Sequence, residues 1–306
     1  MGIFNFFRKK DNNPDDNVCS DHEDDPEFEE LEAVSQVFEN IHRKTRTANT
    51  EITIGDETES IFASKVGGLG YIPHDGNFPK DSAGNQLRLL AQIDCSEVDL
   101  EDFPEKGLLQ FWIANDNCWG LVFADNPIHD TYRIVYYPEI DRSVTRAEIE
   151  AKKFTNSYEQ NDGGGMPVNG EFSLEFKKSS DSMTMYDHRY DEMFCKEYNR
   201  RNPPEKISSI SDIDVDFNGI ETYDMFVNCA FNHKIGGYPG FTQTDPREDG
   251  DENYDFLLLQ LDNDYIDSME NPVIEWGDNG ICNFFINREK LRQLDFSDVL
   301  YNWDCY

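Results

Sequence analysis

Two sets of polar residues recur along the chain: Lys65, Gln92 and Asp94, then Lys234, Gln260 and Asp262. Each lysine opens a Lys-x-Gly-Gly block, Lys65-Val66-Gly67-Gly68 and Lys234-Ile235-Gly236-Gly237. Each glutamine sits inside an apolar run, Leu89-Leu90-Ala91-Gln92-Ile93 and Leu257-Leu258-Leu259-Gln260-Leu261. An ammonium, an amide and a carboxylate brought together could hold a small polar ligand between the two copies. The same residues could instead form a structural network, because an amide inside an apolar strand must find hydrogen-bond partners. The sequence leaves both alternatives open.

Other candidates are weaker. Gly67-Gly68 and Gly236-Gly237 could cradle an anion on backbone amides, but neither stands in a phosphate-loop or dinucleotide frame, and turns with positive φ account for paired glycines. Asp214-Val215-Asp216-Phe217-Asn218-Gly219 resembles the first half of an EF-hand loop, yet Met225 occupies the twelfth position, where a bidentate Glu is required; an acidic helix-capping turn is expected there. Asp245, Asp249, Asp251, Asp255 and Asp262 show no convergent spacing. His233 could act as an acid–base group, with Cys229 nearby, but no orienting partner is visible. No G-x-S-x-G, H-E-x-x-H or Ser–His–Asp pattern occurs. The expectation is therefore no catalytic residue, no metal and no cofactor.

The elements that must position these residues repeat with them. A third block, Gly107-Leu108-Leu109-Gln110-Phe111-Trp112-Ile113, has its counterpart in Gly280-Ile281-Cys282-Asn283-Phe284-Phe285-Ile286. Blocks repeated in one order set the architecture: two similar halves, with pseudo-repeats at about 60–140 and 230–305. Helical spacing of Phe28, Leu31, Val34, Phe38 and Ile41 predicts a helix over 26–44. Strands are predicted at 51–54, 87–93, 132–137, 171–176 and 256–261. Hairpins are predicted for 107–123, around Ala114–Asn117, and for 273–286, around Gly277-Asp278-Asn279-Gly280. Shorter helices are predicted at 142–152, 186–201, 219–228 and 288–294. The fold class expected is α+β, with β-rich antiparallel or mixed sheets, internal duplication and peripheral helices. Residues 1–25 read as a disordered acidic leader, and 26–306 as one domain.

The chain of 306 residues carries 62 acidic against 27 basic residues, a net charge of −35. Such an excess repels phosphate backbones, so nucleic acid is excluded as an ordinary partner, and a basic protein is the partner the charge favours. The 7 cysteines form no C-x-x-C pair, and Met1–Lys10 lacks the apolar stretch of a signal peptide. Free thiols in a reducing cytoplasm are expected. No run is long enough to cross a membrane, so no stable membrane insertion is expected. Gly2 suggests acylation, but Phe6 stands where that motif needs Ser or Thr. Nothing in the sequence sets an oligomeric state.

Taken together, the blocks at Ser64–Gly68, Leu90–Asp94, Phe103-Pro104, Gly107–Phe111, His233–Pro239, Leu259–Asp262, Trp276–Asp278, Asn283–Ile286, Asp295-Phe296 and Tyr301–Cys305 resemble the YwqG-like family, a bacterial group of unknown function. The likeness spans roughly residues 30–306; Gly70 departs from it where proline is expected, as at Pro239. The resemblance implies a single compact α+β body with duplicated β-rich halves. It implies no agreed activity, cofactor or catalytic set. The association of such proteins with secreted toxin systems implies an immunity or accessory role.

Overall fold

Leu108–Ile113 and Ile281–Ile286 are buried at every position. A strand achieves this only when both faces of its sheet are covered. In the computed structural model, which describes residues 26–122, 130–152, 165–213, 230–249, 253–266 and 271–306, that covering comes from a sheet curled on itself and from segments packed outside it.

The strands are β1 (Thr47–Glu57), β2 (Lys65–Gly67), β3 (Arg88–Asp94), β4 (Leu108–Ile113), β5 (Tyr132–Tyr137), β6 (Glu171–Asp181), β7 (Lys234–Gly236), β8 (Phe256–Asp262), β9 (Asp264–Tyr265), β10 (Pro272–Ile274), β11 (Ile281–Ile286) and β12 (Val299–Asp304). Ten of them form one sheet in the order β12-β11-β8-β7-β1-β6-β2-β3-β4-β5, while β9 and β10 form a separate pair. Every pairing is antiparallel, so the mixed alternative falls away. The protein is mostly β-sheet with few helices. Among the described residues these are α1 (Pro26–Thr45), α2 (Arg146–Ala151), α3 (Tyr190–Asn199) and α4 (Arg288–Arg292). None of them is long and apolar enough to cross a membrane.

The sheet nearly closes into a barrel. The Tyr132 hydroxyl, on edge strand β5, donates to the carbonyl of Val299 on edge strand β12 at 2.6 Å. The rings of Tyr132 and Tyr301 lie 5.1 Å apart. Alternate residues of β4 and β11 then meet inside, with Phe111 and Phe284 edge to face at 5.0 Å. The outward-facing residues pack under other segments: Leu89, Leu108 and Trp112 beneath Ile61, Tyr71, Ile72 and Ile149, and Leu257 and Phe285 beneath Phe241. A third cluster joins Val34, Val37, Phe38 and Ile41 of α1 to Tyr190, Phe194 and Tyr198 of α3.

The strand order reads the same from both ends when β1 is matched with β6, β2 with β7, β3 with β8, β4 with β11 and β5 with β12. Matched strands have equal lengths of 11, 3, 7, 6 and 6 residues. Register agrees as well. Lys65 faces Gln92 as Lys234 faces Gln260, and Gln110 faces Gln92 as Asn283 faces Gln260.

Two expectations need correction. Residues 118–122 form no strand, and β4 pairs with β3 and β5 instead. A left-handed Trp119 (φ +48) and Gly120 (φ +84) turn the chain away from β4. Gly277–Gly280 does turn, closed by Gly280 N–H to Trp276 O at 2.8 Å. Its flanks do not form a hairpin, because β10 pairs with β9 while β11 lies between β8 and β12. The leader, the EF-hand-like segment, Cys229 and the helix expected at 219–228 lie outside the described residues.

Candidate functional site

Within each half, the recurrent residues do come together. Gln92 donates from Nε2 to the carbonyls of Ile61 (3.1 Å) and Ala63 (2.8 Å). Its Oε1 accepts from Tyr71 N–H (2.9 Å) and Gln110 Nε2 (2.8 Å). Gln260 donates to the carbonyls of Ala230 (2.8 Å) and Asn232 (2.7 Å) and accepts from Gly240 N–H (2.8 Å). Gln110 and Asn283 finish the two clamps by donating to the carbonyls of Tyr71 and Gly240 at 2.8 and 2.9 Å. The strand glutamines thus stitch the chain before and after each Gly-Gly turn onto the outside of the sheet. The fully buried amides of Gln92, Gln110 and Gln260 find the partners that burial demands, while Asn283 donates but leaves its Oδ1 without a partner among the described residues.

The lysines are struts. Lys65 is fully buried and ion-paired with Glu171. Arg146 grips the same carboxylate through two bonds of 2.9 and 3.1 Å. Burial lowers the Lys65 pKa, an effect that Glu171 only partly offsets. Burial pushes the Glu171 pKa up, but Arg146 and Lys65 outweigh it and leave it below the ordinary value. Lys234 is likewise fully buried and pairs with Asp181 at 3.0 Å.

These carboxylates explain the paired glycines. A Cβ on Gly68 would come within 2.2 Å of the Glu171 side chain, and one on Gly237 within 2.4 Å of both Asp181 oxygens. All four glycines also hold φ between +65° and +73°, where L-residues are strained.

Asp94 and Asp262 end β3 and β8. Asp94 accepts from Ser96 N–H at 3.1 Å and Ser96 Oγ at 2.7 Å, capping a short turn. Asp262 accepts from Asn263 N–H at 2.8 Å, and burial raises its pKa. His233 accepts from Asp262 N–H at Nδ1 (3.0 Å) and faces Asp264 through Nε2 (3.1 Å). Ser64 takes the equivalent place, accepting from Asp94 N–H at 2.7 Å. The two halves' sets do not converge: β1 and β6 stand between β7 and β2, a separation of about 14 Å at ordinary strand spacing.

Three groupings were not foreseen. Ser143 Oγ, His74 and Glu148 line up as nucleophile, base and orienting acid, with His74 Nε2 3.0 Å from Ser143 and Nδ1 2.8 Å from Glu148. However, Asp141 takes the hydroxyl proton at 2.7 Å, and the imidazole is half exposed, so the set pins α2 to the 72–76 loop. Asp187, His188 and Asp245 offer metal-ligand atoms within 4.8 Å of one another. Arg247 already bridges Asp245 (2.6 and 2.9 Å) and Asp187 (3.2 Å), and Arg189 grips Asp187 through two bonds of 2.7 Å. The carboxylate charge is therefore neutralised from within.

The third grouping is a cavity of about 160 Å³ walled by Leu100, Glu101, Arg189, Tyr238, Asp255 and Arg288 among others. It lies where the loop after β3 crosses to the turn after β7. Arg288 and Arg292 hold that loop by Asp102 at 2.7–3.1 Å, and Asp102 is kept at φ +70. Residues this far apart in the chain carry no spacing signal. The one visible hint is Asn287, the cap that starts α4 and sets Arg288 and Arg292 one turn apart.

No curated protein matches the chain. The family described as Domain of unknown function (DUF1963) matches residues 64–305. That match takes in both Lys-x-Gly-Gly blocks, the glutamines of both clamps and every strand of the large sheet except β1, so the chain belongs to the DUF1963 family.

Proposed function

We propose that the chain is a binding protein whose acidic surface engages a basic protein partner. The observation that carries this is the excess of 62 acidic over 27 basic residues. It is concentrated in places such as Asp94–Glu105, where six of twelve residues are acidic and Asp99 is 82% exposed at its side chain. Charge of this kind gives fast, salt-sensitive association with cationic proteins. The fully buried Lys65, Gln92, Lys234 and Gln260, with Asp94 and Asp262, serve as scaffold in this account, which is supported by their internal hydrogen bonds. A toxin-neutralising role within a YwqG-like branch of the family is its specific form. A cytoplasmic setting is supported by free thiols at Cys95, Cys118, Cys195, Cys282 and Cys305. The palindromic strand order and matching registers support an origin by internal duplication.

The test is affinity capture from lysate at low salt, followed by a salt titration of whatever is captured. A basic protein whose association rate falls steeply with ionic strength is expected. Capture of no basic protein at any salt concentration contradicts the proposal.

A further inference from the structure

We propose that the cavity beside Gly237 binds a small zwitterion, carrying both a carboxylate and an ammonium group, of the size of a free amino acid. This site shares Glu101 with the acidic stretch Asp94–Glu105 but does not rest on a protein partner. The cavity measures about 160 Å³, and a cavity of about 150 Å³ accommodates a benzene-sized molecule. That is the scale of an amino-acid head group with a short side chain.

Its polar wall is half cationic and half anionic: Arg189 and Arg288 against Glu101 and Asp255. Each arginine is fixed on one side and open on the other. Arg189 spends Nε and Nη2 on Asp187 and lies 5.8 Å from the Tyr238 ring centroid. Arg288 spends one Nη1 bond on Asp102, pairs through Nε with Asp255 at 3.9 Å and lies 4.9 Å over the Phe256 ring. Arg189 Nη1 and Arg288 Nη2 donate to no described residue. Two guanidinium edges held by stacking and by carboxylates behind them suit a ligand carboxylate, which arginine recognises through paired donors. Glu101 likewise makes no hydrogen bond or ion pair among the described residues, and it suits an ammonium.

The overall charge separates the ligand classes. A molecule of −35 repels a phosphate dianion, and so do Glu101 and Asp255 at the rim. A zwitterion adds no net charge while satisfying both signs of the wall. The cavity is also built rigidly: a Cβ on Gly236 would come within 2.7 Å of Leu100 Cδ2, so Leu100 seats directly on the β7 turn and sets Glu101 beside it.

The experiment titrates the full chain with each free amino acid, with acetate and with inorganic phosphate, by calorimetry and melting temperature. At least one amino acid is expected to bind and raise the melting temperature. Acetate and phosphate are expected to bind about tenfold more weakly or worse, the scale of one lost charge-assisted hydrogen bond. Arg288→Gln and Glu101→Gln should each weaken amino-acid binding by about tenfold. Arg288→Gln leaves Asp102 held by Arg292, and Glu101→Gln removes no internal partner, so the second variant carries the test if the first is unstable. The proposal is overturned if no amino acid binds, if acetate or phosphate binds as tightly, or if both variants bind like the parent chain.

Discussion

Replacing Gly237 with alanine isolates the reason for the paired glycines. At φ +72 an alanine carries a conformational penalty of about 1–2 kcal/mol. Its Cβ would also stand 2.4 Å from both Asp181 oxygens, so the carboxylate must leave Lys234, which it holds at 3.0 Å. The Lys234 side chain is 0% exposed and that of Asp181 6%; breaking one partner from such a pair costs about 3–5 kcal/mol. The combined loss is about 4–7 kcal/mol, comparable with the whole stability of many domains. Gly84 supplies the control. It sits at φ +88, and a Cβ added there would meet nothing within 4 Å, so Gly84→Ala should lose only the conformational part, about 1–2 kcal/mol. Urea unfolding followed by tryptophan fluorescence compares the two, with Trp112 and Trp276 fully buried as reporters. If Gly237→Ala costs no more than Gly84→Ala, the carboxylate does not dictate the glycine and the strut account fails.

Further outcomes are predicted for the other groups. Gln92→Leu and Gln260→Leu each leave buried carbonyls and an amide unpaired and should cost about 3 kcal/mol or more; near-parental urea midpoints would refute the clamps. Asp262→Asn should stabilise the protein at neutral pH. The raised Asp262 pKa means that its contribution is fully present only below the ordinary value of 3.8 and is lost as pH rises through the folded-state pKa, so the variant's advantage must vanish in melts below that value. Added salt at neutral pH should raise the melting temperature by screening the −35 charge; a steady fall would contradict self-repulsion. Ser143 should resist fluorophosphonate labelling, since Asp141 holds its proton; stoichiometric labelling would make it a nucleophile.

Much of this structure was legible in local pattern. The alternation and apolar character of Leu87–Ile93, Tyr132–Tyr137 and Phe256–Leu261 marked β3, β5 and β8 to within a residue, because buried strands write their environment directly into residue type. The glutamines were legible as network members, since an amide in an apolar strand needs partners wherever it lies. Hairpins failed for a physical reason: Asp116–Asn117 and Asp278–Asn279 do form turns, but turn chemistry fixes only the local bend. Which strands pair afterwards depends on the curl of the whole sheet. The cavity was invisible because Glu101, Arg189 and Arg288 meet only through tertiary packing, and the left-handed Asp102 gives no signal in residue type.

The central claim is that the lysines of the two Lys-x-Gly-Gly blocks are internal struts. Native-state lysine acylation, read by mass spectrometry along a urea series, tests it most directly. Lys106 and Lys177, with side chains 66% and 80% exposed, should react at once. Lys65 and Lys234, both 0% exposed, should stay unmodified until the global unfolding transition. Modification of either at native-state rates comparable to Lys106 would contradict the account.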